Sequence, residues 1–156
     1  MRQIGLFTGL ALAALLPLGA MAADDQMVAT KSDAVQWKPA PPAYPKGAQM
    51  AVLFGDPSKE GPFVVRLKAP AGYKIAAHMH PADENVVVLS GSLHVGMGDK
   101  LDDKKGEALK AGGYVHMPKG MHHYAWFTEE TIIQNNGIGP TAITYVNEKD
   151  DPRKTN

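Results

Sequence analysis

From residue 49 onward, short apolar runs alternate with turn-forming residues, and no long window keeps a helical period. Strand-like runs occupy 50–54, 63–67, 73–80, 85–89, 92–97, 114–117, 123–127, 131–134 and 142–146. Between them, Gly55-Asp56-Pro57-Ser58, Ala69-Pro70-Ala71-Gly72, Ser90-Gly91, Pro118-Lys119-Gly120 and Gly137-Ile138-Gly139-Pro140 supply turns, because glycine opens positive φ and proline cannot continue a ladder. Many short strands at close spacing predict an all-β sandwich or barrel over residues 49–147. The charged stretch 99–107 predicts a solvated hairpin tip, and the polar tail 148–156 predicts a frayed end.

Two segments precede this domain. Met1-Arg2-Gln3 carries one positive charge, 4–18 is almost wholly apolar, and Ala20-Met21-Ala22 is a small-x-small site. This pattern predicts a secretory signal peptide over 1–22, cleaved after Ala22, and a periplasmic or secreted product. The apolar run is shorter than the ~20 residues a bilayer span needs, so no membrane attachment is expected after cleavage. Residues 23–48 contain Pro39, Pro41, Pro42 and Pro45 and predict an extended arm. Trp37 and Tyr44 are unusual in a free linker. They point to an arm that packs on the domain or on a neighbouring subunit, with a loosely ordered leader as the alternative.

Charge and cysteine content narrow the function classes. Sixteen basic residues balance sixteen acidic ones, and no basic block is present, which excludes the electrostatic footprint of nucleic-acid binding. With no cysteine, an exported chain must rely on its core, an oligomer or a metal in place of disulfides.

The candidate chemistry lies in 72–91 and 112–123. In a strand, His78 and His80 point the same way with Cα atoms roughly 6.5–7 Å apart, and Met79 points away. Pro81-Ala82-Asp83 reads as a turn, after which Glu84 can bring a carboxylate back toward the two imidazoles. Gly72-x5-His78-x-His80-x3-Glu84-x6-Gly91 resembles the first cupin motif, and Gly112-x5-Pro118-x-Gly120-x2-His123 resembles the second, with twenty residues between them. One position departs: the asparagine that closes the second motif is Phe127 here. The resemblance covers 49–146. It implies a jelly-roll barrel in which His78, His80, Glu84 and His123 bind one divalent metal, and it implies frequent homodimerisation. Independently, three imidazoles and a carboxylate form a mixed nitrogen and oxygen set that suits iron, manganese, nickel, zinc or copper. A six-coordinate ion would keep two positions open, whereas a tetrahedral zinc would keep none.

The remaining candidates are read by strand parity. His116 faces either the pocket, as an acid or base, or the outer sheet face. Gln134 and Asn136 share a parity and are expected to face the cavity and orient a substrate. Arg66 either binds an anionic substrate or lies outside. His122 is expected at the rim, His94 in solvent, and Asp83 in the turn alone. Met79, Met97, Met117 and Met121 fill irregular gaps in the core or, less simply, handle copper(I). The leading functional expectation is a metal-dependent enzyme on a small polar organic molecule, a dioxygenase first, then an isomerase, lyase or decarboxylase. The alternative is a non-catalytic metal- or small-ligand-binding protein, and the third reading is a sensory or interaction module.

Overall fold

In β3 (Gly61–Ala69), Phe63, Val65, Leu67 and Ala69 are buried while the residues between them are not, which is the signature of a strand with one face on a core. A computed structural model describes residues 27–154 and shows the same logic repeated across two antiparallel sheets. The expected signal peptide at 1–22 and the last two residues of the tail lie outside the described residues. Six strands form the larger sheet, in the order β1 (Lys38–Pro39), β2 (Gln49–Phe54), β3, β10 (Thr131–Gly139), β5 (Glu84–Ser90) and β8 (Tyr114–Met117). The smaller sheet runs β11 (Thr144–Tyr145), β4 (Lys74–Met79), β9 (His123–Phe127), β6 (Ser92–Met97) and β7 (Glu107–Lys110). The two sheets face each other as a jelly roll.

Leu67, Ile75, Val86, Val88, Leu93, Phe127 and Ile133 from both sheets meet in one core. Phe127, at 1% exposure, is an almost fully buried ring of this core and is worth about 1.5–3 kcal/mol of burial. It occupies the place where the resembled motif has asparagine, so an apolar ring replaces a polar group at the heart of the barrel. Gly91, between β5 and β6, has φ of 74°, and a Cβ there would strike the Glu130 carbonyl and Thr131. Only glycine fits that turn without strain.

The arm belongs to the domain. Lys38 and Pro39 pair with Met50 and Gln49, and proline is tolerated there because β1 is an edge strand. The hydroxyls of Tyr73 and Tyr145 donate to the carbonyls of Pro45 (2.7 Å) and Ala43 (2.8 Å), and Lys68 sits 4.5 Å over the Trp37 ring. Of the two packings open to Trp37 and Tyr44, the structure thus shows the one on the chain's own domain. The tail differs from its expectation. Arg153 grips Asp151 with two nitrogens and donates to the Ile143 carbonyl at 3.2 Å, so 148–154 is pinned and Asp151 is buried. Strand β7 begins inside the expected hairpin tip; of its Glu-Ala-Leu-Lys only Ala108 and Leu109 are apolar and neither is β-branched or aromatic, too little to announce a strand.

Candidate metal centre

Alternation alone would not deliver His78 to the barrel interior. Tyr73 and Ile75 face the core, so Ala77 should follow and His78 should point out. Ala77 instead joins an outer cluster with Tyr124 and Trp126, because β4 carries an extra residue relative to β9 between Ile75 and His78. This bulge reverses the facing and aims His78 inward, directly opposite His123 on β9. His80 follows in the turn after β4 with the same facing, and Glu84 opens β5.

The three imidazoles are buried, at 4%, 8% and 3% exposure for His78, His80 and His123, and offer donor atoms within 4.8 Å of one another. Each Nδ1 lies on a backbone carbonyl: Ala76 at 2.7 Å, Ala142 at 2.7 Å and Met121 at 3.0 Å. A carbonyl only accepts, so each Nδ1 carries a proton, and in the neutral ring Nε2 presents the lone pair. The Nε2 atoms of His80 and His123 both lie 3.4 Å from Oε2 of Glu84. The other carboxylate oxygen, Oε1, accepts from the Asn135 amide at 2.6 Å. Lone pairs converging on lone pairs repel unless a cation stands among them. The arrangement could therefore hold a metal ion, and it has the outer contacts that orient metal-bound imidazoles.

The electrostatics agree. Burial, reinforced by His123 and His80, pushes His78 down to about 3, so its ring is neutral and in the ligating form. For Glu84 burial acts upward, but the His123 contact and the charges of His80, His123 and His78 outweigh it and leave the carboxyl below its ordinary range.

The donors border a cavity of about 50 Å³ whose walls include Val86, Leu93, Phe127 and Ile133. Three expected pocket residues are not there. Met117 is the inward residue at the end of β8, so His116 faces out, where its Nδ1 lies 3.0 Å from Asn85 Oδ1. Along β10 the inward parity belongs to Ile133 and Asn135, which places Gln134 and Asn136 on the outer face with Arg66. His122 lies at the rim, 2.6 Å from Asp99, and half-buried His94 stacks on Trp126 at 4.9 Å. Asp83 does more than turn the chain: its carboxylate accepts the Lys119 amide at 2.8 Å, tying the turn after β4 to the turn before β9. Among the four methionines, only Met117 lines the cavity.

Sequence reasoning missed Asn135 and Tyr44. Asn135 holds Glu84, and its Oδ1 is the one buried side-chain polar atom without a partner among the described residues. Apolar Ile132 and Ile133 sit on opposite faces of β10, so composition could not choose the parity. Tyr44 reaches the cavity from the arm.

Residues 25–142 match the family model described as the ChrR cupin-like domain. No curated protein sequence matches the chain. Among solved structures, an acetylacetone dioxygenase from Acinetobacter johnsonii is similar at 16% identity and a TM-score of 0.65, covering 88% of each chain. The polyketide cyclase RemF from Streptomyces resistomycificus is similar at 15% identity and a TM-score of 0.68, covering 83% of this chain and 92% of that one. An RmlC-like cupin from Ralstonia eutropha JMP134 is similar at 23% identity and a TM-score of 0.59, covering 78% and 73%. At these identities the likeness is one of fold.

Proposed function

The chain belongs to the ChrR cupin-like domain family, and from that premise we propose an exported metalloenzyme that uses dioxygen to oxidise a small organic molecule. His78, His80, His123 and Glu84 would hold one divalent transition metal, drawn from iron, manganese, nickel, zinc and copper. The observation that carries the reading is the convergence of three imidazoles and a carboxylate oxygen beside an apolar cavity. When bound, the ion supplies Lewis acidity and open coordination positions next to the substrate. The protein's part is positional. Asn135 occupies one Glu84 oxygen and aims the other into the donor cluster, while backbone carbonyls lock the three imidazole tautomers. The apolar walls keep bulk water away, which strengthens every charge interaction inside.

Dioxygenase chemistry heads the class because of the fold likeness to an acetylacetone dioxygenase. Isomerase, lyase and decarboxylase reactions follow, since one fold hosts many chemistries. The export assignment rests on the residues at 1–22, with Ala23 as the expected mature N-terminus, readable by mass spectrometry. The motif resemblance adds the expectation of a homodimer, readable by light scattering.

Metal analysis of protein purified from its exported compartment, paired with oxygen uptake on acetylacetone and other enols, tests the reading. We expect close to one equivalent of a single transition metal, with uptake that His123→Ala abolishes. Less than about half an equivalent would overturn it. A second reading, non-catalytic metal holding, is favoured by the small inner cavity, about 50 Å³. Full metal content without oxygen uptake on any enol would select it.

A further inference from the structure

A second chamber, of about 210 Å³, adjoins the metal cavity, and Tyr44, His80 and Asn135 line both. The arm builds one wall through Pro41, Ala43 and Tyr44, and residues 141–143 build another. The volume falls below the ~300–1,000 Å³ typical of drug-sized ligands, so an occupant must be compact. Among the described residues, no lysine, arginine, aspartate or glutamate lines the chamber. A carboxylate or phosphate entering it would shed its hydration without meeting a countercharge from these walls, and Arg66 is on the far side of the sheet.

Two polar atoms at this site are unmatched. Asn135 Oδ1 is buried without a partner, and turning the amide over would break the Nδ2 bond to Glu84, so the oxygen stays an acceptor in want of a donor. Among the described residues, the side chain of Tyr44 makes no hydrogen bond. Burial, then the charge of Glu84, raises its pKa, so the hydroxyl keeps its proton and remains a donor.

We propose that this arm-built chamber is the ligand site serving the metal centre. It selects a compact, uncharged, mostly apolar molecule that bears an enol or hydroxyl beside a carbonyl. Asn135 Oδ1 accepts from the hydroxyl, and Tyr44 donates to the carbonyl. This replaces the polar substrate expected from sequence, and it rests on the metal-centre reading for the chemistry but not for the binding.

Calorimetric titration of the full mature chain, with metal and without, tests the proposal with three probes. Acetylacetone is neutral and enolises; 3,3-dimethylpentane-2,4-dione has no hydrogen between its carbonyls and cannot form the conjugated enol; acetoacetate is an anion of similar size. Acetylacetone is expected to bind at least about tenfold more tightly than either of the others, since a buried unmatched acceptor or an unpaired charge penalises them. Tyr44→Phe should weaken acetylacetone about three- to tenfold, the range of one neutral hydrogen bond, with metal content unchanged. Ala43→Leu, which fills the chamber, should abolish the binding. Equal affinity for acetoacetate, or undiminished acetylacetone binding in Ala43→Leu, overturns the proposal. Silence toward acetylacetone in metal-replete protein overturns the ligand class and leaves the metalloenzyme reading standing. Protein that holds no metal overturns that reading instead, and the metal-free titration still decides the chamber.

Discussion

Polar side chains line the outer face of the larger sheet and the space between the two sheets, and the two sets behave oppositely. On the outer face, Arg66 Nε donates to Gln134, Gln134 donates to Asn136, and Tyr114 donates to Asn85, with His116 on the same Asn85 oxygen. Along this row the side-chain oxygens of Gln134, Asn136 and Asn85 each have a partner at the surface. On the inner side, His78, His80, His123 and Glu84 present lone pairs to one another, and Asn135 keeps a buried acceptor without a partner. The two sets share amides and imidazoles. What separates a site from a surface here is unmet bonding capacity, and polar composition alone does not reveal it.

Substitutions can test that contrast, beginning with the largest effect. His123→Ala removes a converging donor and should lower metal affinity by more than the roughly 10–100-fold that loss of a supporting contact costs. Asn135→Ala, which frees Glu84, should fall within that roughly 10–100-fold range, measured by competition with a chromophoric chelator. Chelation should lower the melting temperature, because a ligand at a hundred times its Kd stabilises the folded state by about 2.7 kcal/mol; calorimetry with and without metal reads this. Tyr73→Phe unpins the Pro45 carbonyl and should cost about 1 kcal/mol in urea unfolding. Gln134→Ala, in the outer row, should stay within about 0.5 kcal/mol and leave metal content untouched. A large metal effect from Gln134→Ala, or none from Asn135→Ala, would break the comparison.

Much of this molecule is legible in the sequence, and the gaps have physical causes. The strand and turn punctuation foretold an all-β fold, and the motif resemblance singled out His78, His80, Glu84 and His123, which the structure brings close together. Facing was harder. His78 turns inward through a bulge in β4 that simple alternation does not contain. The pair Ile132 and Ile133 hid the parity of β10, so Gln134 and Asn136 were expected where Asn135 stands. Tyr44 escaped notice as a site residue because its place depends on Tyr73 and Tyr145 anchoring the arm from strands far along the chain.

The central claim is that the inner set is built to hold a cation. Its most direct test is the metal content of wild type, Glu84→Ala and Gln134→Ala, purified side by side and measured by inductively coupled plasma mass spectrometry. The account predicts close to one equivalent in wild type and Gln134→Ala and a marked loss in Glu84→Ala. Equal content in all three, or less than about half an equivalent in wild type, would contradict it.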